Sequence, residues 1–113
     1  MHELSITQSI VNIAVETAKE HNVKKIREIH LQIGEYSGIV SQCVQQYFDI
    51  LSKGTAAEGA VLVTRRIPIT MRCNQCGAEN EIDKLKIQCP ACGSTDLKLL
   101  TGHEFYVESL EVD

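Results

Sequence analysis

Residues 73–93 read CNQCGAENEIDKLKIQCPACG. Two CxxC pairs, Cys73/Cys76 and Cys89/Cys92, are separated by twelve residues, and a glycine follows each pair (Gly77, Gly93). Two residues between cysteines let a tight turn aim both thiolates at one ion. The glycine supplies the positive backbone dihedral that closes the turn. Two such turns facing each other make a tetrahedral four-sulfur site, which suits Zn²⁺ and leaves no coordination position open. The pattern therefore predicts a structural zinc-binding domain over residues 69–100. A dithiol redox pair is the other use of CxxC. It is disfavoured because such pairs open a helix in a thioredoxin-like setting. The segment offers little to bury besides Met71, Ile82, Leu85 and Ile87. Metal binding must then supply much of its folding free energy, on the order of 10 kcal/mol or more.

The bulk of the chain sets further bounds. It has 113 residues, 43% of them hydrophobic, no Trp and a formal net charge of −4. Its aromatic residues are Tyr36, Tyr47, Phe48, Phe105 and Tyr106, so the core must be mostly Ile, Val and Leu. Lys and Arg form no block that could displace counterions along a phosphate backbone, which disfavours nucleic acid as a partner. Four thiolates holding one Zn²⁺ would bring the net charge nearer −6, which argues the same way. No apolar run reaches the ~18 residues of a membrane span. Glu3 and the lack of a basic start argue against a signal peptide. Paired cysteines of this kind fit a reducing, cytoplasmic setting.

Outside the cysteine segment the chain alternates helix and strand. Ile6, Ile10, Ile13, Ala14 and Ala18 recur at spacings of three and four, with Val11 and Val15 beside them, which predicts a helix from Leu4 to about Glu20. The sequence EHN near residue 21 ends it. In IREIHLQI, Ile29, Leu31 and Ile33 alternate with Glu28, His30 and Gln32, as in a strand with one wet face. Gly34 and Gly38 bracket a turn. Val40, Val44, Tyr47, Phe48 and Leu51 form the stripe of a second helix, Ser41 to Ser52, with Gly54 as its stop. AVLVTRRIPI, up to Pro68, and the closing FYVESLEV read as strands. The fold class expected is α+β: a small, mostly antiparallel or mixed sheet with two helices on one face. Residues 1–68 and 101–113 form this body, and the zinc ribbon of 69–100 is inserted between two of its strands.

The N-terminus reads MHELS. The terminal amine of Met1, the amide nitrogen of His2 and the His2 imidazole can close two fused chelate rings in one plane. The Glu3 amide or a remote histidine can complete the square. Ni(II) and Cu(II) prefer such nitrogen donors, whereas Zn²⁺ gains nothing from the plane. A second residue as bulky as His also protects Met1 from removal. By itself, a histidine near a terminus is most often merely solvated.

Four features together resemble one family. They are MHELSI leading into a helix, the segment LQIGEYSGI, an α/β body of this length, and the late C-x2-C…C-x2-C. The combination is similar to the HypA/HybF family, nickel-insertion accessory proteins of [NiFe]-hydrogenase maturation, over essentially the whole chain. The resemblance implies that His2 binds nickel, that Glu3 is the acid following it, and that Cys73, Cys76, Cys89 and Cys92 hold a structural zinc. It further implies a metallochaperone and not an enzyme; the chain itself is expected to be a monomer or homodimer. The expected partners are a HypB-type GTPase and the hydrogenase large-subunit precursor. Some relatives also serve urease maturation, which adds urease accessory proteins as partners. Two other readings compete: a zinc-ribbon adaptor with an inert N-terminus, and a small metalloenzyme using Cys43 or a histidine. No pocket-forming constellation supports the enzyme.

The remaining histidines and cysteine rank below these. His103, in TGHEF, is the best candidate for a remote nickel donor. His30 reads as a surface residue on a strand, and His21 as one favouring the C-terminal dipole of the first helix. Cys43 reads as a small hydrophobe buried beside the second helix's stripe. Glu35 belongs to a turn or a partner surface, and Glu108 and Glu111 to a solvated strand face.

Overall fold

The computed structural model describes residues 2–113, the His2 side chain excepted. The chain runs α1 (His2–Glu20), β1 (Ile26–Gly34), a 3₁₀ turn (Glu35–Ser37), α2 (Ser41–Leu51), β2 (Val61–Ile67), β3 (Thr70–Cys73), β4 (Glu79–Glu81), β5 (Leu97–Thr101) and β6 (Phe105–Val112). The strands form two three-stranded sheets, ordered β2-β1-β6 and β4-β3-β5. The expected α+β class holds, with the closing strand back in the first sheet and the cysteine segment looped out between strands.

The structure resolves into two compact units. Of the described residues, the first comprises 2–32, 39–65 and 106–113. Here α1 packs on α2. The helix buries Thr7, Ile10, Val11, Ala14 and Ala18, and the central strand β1 buries Ile26, Ile29 and Leu31. Val44 and Phe48 complete this core from α2. Helix α1 ends as EHN requires: Asn22 adopts φ 55°, and the Val23 N–H returns to the Ala18 carbonyl at 2.8 Å. Asn tolerates this left-handed conformation better than most residues. Strand β6 lies antiparallel to β1. The Gln32 amide donates to the Glu108 carboxylate, and the Asp113 N–H donates to the Lys25 carbonyl at the other end.

Several expectations for this unit change. Helix α1 begins at His2, not Leu4. Its buried face is rotated: Ile13 is 48% exposed, while Thr7 is fully buried. Thr7 can be buried because its hydroxyl donates to the Glu3 carbonyl one turn back. The polar face of β1 is only half wet, since Gln32 is 7% exposed under Glu108. His30 is partly buried and lies 3.0 Å from the Glu28 carboxylate. On α2 the buried stripe narrows to Val44 and Phe48, because Val40 is the exposed N-cap residue. Cys43 is half-buried beside it, not fully enclosed. The α2 helix is capped by Ser52, and Gly54 turns the chain two residues later with φ 79°.

The second unit comprises residues 33–38 and 66–105. Its sheet is antiparallel, with β3 central. Its core is small: Ile69, Met71 and Ile82 are buried, and Leu97 and Leu99 pack partly against them. Leu85 and Ile87, expected in that core, lie outside it. Leu85 is 89% exposed because the Asp83 turn carries it away from the sheet. The 33–38 segment joins this unit through a backbone contact that only glycine allows. A Cβ on Gly34 would lie 2.0 Å from the Gly102 carbonyl oxygen. In its absence the Gly34 N–H reaches the Glu104 carbonyl at 2.7 Å, and the Tyr36 N–H reaches Gly102 at 2.8 Å.

Candidate metal centre

The four ribbon cysteines converge as their spacing predicts. In each pair, the glycine after the second cysteine donates its N–H to the carbonyl of the first. Gly77 reaches Cys73 at 2.9 Å, and Gly93 reaches Cys89 at 2.8 Å. Both glycines hold a left-handed conformation, φ 78° and 79°, which costs a side-chain-bearing residue energy. A second bond closes each turn, from the Cys73 N–H to Ala78 and from the Cys89 N–H to Ser94. The Asn74 side chain ties the first turn to Asp96 at 3.0 Å. The two turns thus share the same pair of closing backbone bonds.

Their sulfurs meet as a tetrahedral ion requires. All four lie within 4.8 Å of one another. The Cys73–Cys92 separation is 3.6 Å and the Cys76–Cys89 separation 3.7 Å. A tetrahedron with metal–sulfur bonds of about 2.3 Å has sulfur–sulfur edges of about 3.8 Å. A disulfide would need about 2.05 Å. The donor set and its dimensions therefore fit one zinc-sized ion held by all four sulfurs. Cys73 and Cys89 are buried, and Cys76 and Cys92 are exposed.

The backbone prepares these sulfurs unequally. The Cys73 sulfur accepts N–H groups from Cys76 and Gln75, each at 3.4 Å. Led by the Cys76 N–H and opposed by burial, its pKa is lowered to about 6. Cys89 is lowered in the same way, first by the Cys92 N–H, against burial. For Cys92 the Ser94 N–H pulls downward, but the neighbouring Cys73 sulfur and burial outweigh it and push the thiol up to about 12. Four thiolates this close repel one another, and a dication is what lets all four ionise together.

The N-terminal residues stand differently. The Met1 amine and the His2 imidazole lie outside the described residues. The first turn of α1 is nevertheless anchored, since Glu3 accepts the bond from buried Thr7. His103 is exposed and packs edge-on against Tyr36, with ring centroids 5.3 Å apart. Among the described residues, the cysteines alone form a cluster able to hold an ion. No helix among them is long and apolar enough to cross a membrane. Thr7 escaped the sequence reading, because its polarity hides a residue whose hydroxyl is satisfied locally.

Comparison with known proteins places the chain. Residues 1–112 match the family described as hydrogenase/urease nickel incorporation, metallochaperone, hypA. A hydrogenase maturation factor HypA from Caldanaerobacter subterraneus subsp. tengcongensis is 44% identical over 114 residues, covering 100% of both chains. One from Nostoc is 47% identical, covering 100% of this chain and 96% of the relative. Two solved structures share the fold. The solution structure of the Ni metallochaperone HypA from Helicobacter pylori has a TM-score of 0.69 at 23% identity, covering 97% of this chain and 96% of its own. A second HypA solution structure has a TM-score of 0.74 at 24% identity, covering 99% and 96%.

Proposed function

We propose a function from the premise that the chain belongs to the HypA family of hydrogenase maturation factors: it is a nickel metallochaperone that delivers Ni(II) for the assembly of [NiFe]-hydrogenase. Nickel is its cargo. The donors are the Met1 amine, the His2 amide and imidazole, and the Glu3 amide. The Glu3 carboxylate and His103 are auxiliary candidates. The observation that carries this reading is a family match that spans both His2-Glu3 and the four-cysteine cage in one chain. The start of α1 at His2 supports it. The first amides of a helix have no acceptor one turn back, so the His2 amide proton can be given up to a metal without breaking an intrahelical bond.

Cys73, Cys76, Cys89 and Cys92 hold a structural Zn²⁺. Four sulfurs saturate a tetrahedral ion, so this site folds the ribbon and offers no place for a substrate. The protein acts by binding and transfer, not as an enzyme. In this reading it works in the cytoplasm with a HypB-type GTPase and hands nickel to the hydrogenase large-subunit precursor. Urease accessory proteins are the partners where the cargo goes to urease.

Titration with Ni(II) tests the site. Native protein is compared with the His2→Ala variant and with a form whose Met1 amine is acetylated. Each change should abolish the d–d band of square-planar nickel. Each should also weaken binding by about 100-fold or more, since loss of a direct donor exceeds the 10–100-fold typical of outer-shell changes. A zinc-ribbon adaptor with an inert N-terminus would bind nickel equally in all three forms, and that result would sink the proposal.

A further inference from the structure

The edges of the two sheets are not treated alike. In the ribbon sheet, edge strand β4 is only three residues long, and edge strand β5 carries the exposed Lys98. In the other sheet, β2 forms one edge. Its Leu62 N–H donates to the Gln45 side chain at 3.0 Å, and Arg65 and Arg66 stand exposed on it. Short length, cationic side chains and an occupied backbone each keep an edge from pairing with another chain. β6 has none of these. It runs eight residues, Phe105–Val112, and contains no Lys, Arg or Pro. It has β1 on one side, and its outer row of N–H and C=O groups has no strand beside it.

The same strand borders an apolar groove. A hollow of about 430 Å³ lies between α1 and β6, lined by Ile13, Val107, Leu110 and Val112, with Glu108 in its wall. Ile13 and Val112 stand exposed along it. A strand added beside β6 would lie about 4.8 Å away, with every second side chain turned toward one face of the sheet. Backbone bonds would hold it, and the groove would select its alternate side chains. The charges on β6 set the rest of its character. Glu108 meets only the neutral amide of Gln32. Glu111 and Asp113 share a single cation, Arg27, at 4.0 and 3.1 Å. Opposite charges across a strand pair attract and like charges repel, so this edge favours a basic strand. A second copy of β6 would set its acids against their own kind.

We infer that the free edge of β6 and the groove beside it bind an extended segment of a partner protein in which apolar residues alternate with lysine or arginine. The segment adds a fourth strand to the sheet. Its apolar side chains enter among Ile13, Val107 and Val112, and its cations face Glu108.

A labelled, acetylated heptapeptide of alternating valine and lysine, titrated onto the full chain, tests this by fluorescence anisotropy and amide exchange. Binding should saturate, exchange within Phe105–Val112 should slow, and added salt should weaken the complex as its charges are screened. Three changes should each weaken binding by about 10-fold or more. The first replaces the peptide's lysines with glutamate. The second N-methylates every peptide amide, which removes the donors and keeps the side chains. The third is Ile13→Lys in the protein, which puts a charge into the groove. Ile13 is exposed, so circular dichroism should not change. The inference falls if the native chain leaves the peptide unbound, or if any one of the three changes leaves binding as tight. It also falls if the chain without peptide sediments as a dimer with β6 already protected, because a second copy would then be the occupant.

Discussion

The two units solve the same problem by different means. The first spreads its stability over a core drawn from two helices and a sheet, including Ile10, Ala14, Ile29, Leu31, Val44 and Phe48. The ribbon buries Ile69, Met71 and Ile82, with Leu97 and Leu99 half-covered. A segment of that size cannot offset its chain entropy by apolar burial alone, and units this small commonly depend on a metal or disulfides. Its cysteines instead close two backbone turns around one point. One unit should therefore be robust to loss of any single ligand, and the other should fail with it.

Cys73→Ala breaks the comparison most directly. Cys73 is the buried sulfur that takes two N–H bonds, so three ligands and a half-built turn would remain. Of the ~10–16 kcal/mol that a structural zinc supplies, enough should be lost to unfold the ribbon. Amide exchange should become fast over 70–100 and stay slow in α1 and β1. Chelation of the metal from the native protein should have the same signature. Protection persisting in the ribbon would refute the four-sulfur assignment.

Phe48→Ala attacks the other unit. Phe48 is fully buried in α2, and truncating such a residue costs about 3–5 kcal/mol. Thermal unfolding of the first unit should move to lower temperature, while the metal content and protection of the ribbon hold. A ribbon that lost its metal in this variant would show that the two means of stabilisation are not separate.

Gly34→Ala should act locally and less strongly. The new Cβ would meet the Gly102 carbonyl, a backbone atom that cannot simply rotate away. Overpacking of this kind costs about 1–3 kcal/mol, at times more. The effect should appear as faster exchange at Gly34 and Tyr36, the two donors that cross to residues 102–104.

How legible each part was follows from the same contrast. Backbone-built features announce themselves: the CxxC-glycine repeats gave the cage, EHN gave the end of α1, and FYVESLEV coincides with β6. Features set by side-chain partners did not. Thr7 looks polar yet is buried, because the Glu3 carbonyl satisfies it. Leu85 looks like core yet is not, because the carboxylate of Asp83 redirects its backbone. Ile13 fits the helical stripe, but the face that packs is centred on Ala14 and Ala18. The N-terminal nickel donors remain a proposal that rests on coordination chemistry, since no periodicity marks a chelate.

The smallest effect belongs to Glu108→Ala, and it sharpens what alternation in a strand can mean. In IREIHLQI, Gln32 occupies the face that alternation assigns to water. In the structure its amide is nearly enclosed and donates to Glu108 across the strand pair. Removing the carboxylate leaves that donor without its acceptor, a cost of about 1–3 kcal/mol. Glu108 is itself exposed, so water can replace it in part and the lower end of that range is expected. A double-mutant cycle with Gln32→Leu separates the terms. If the bond matters, Gln32→Leu should relieve most of the loss caused by Glu108→Ala, because an apolar side chain there has no donor to orphan. If the two changes simply add, the face beside β6 is wet after all and the hydrogen bond is incidental.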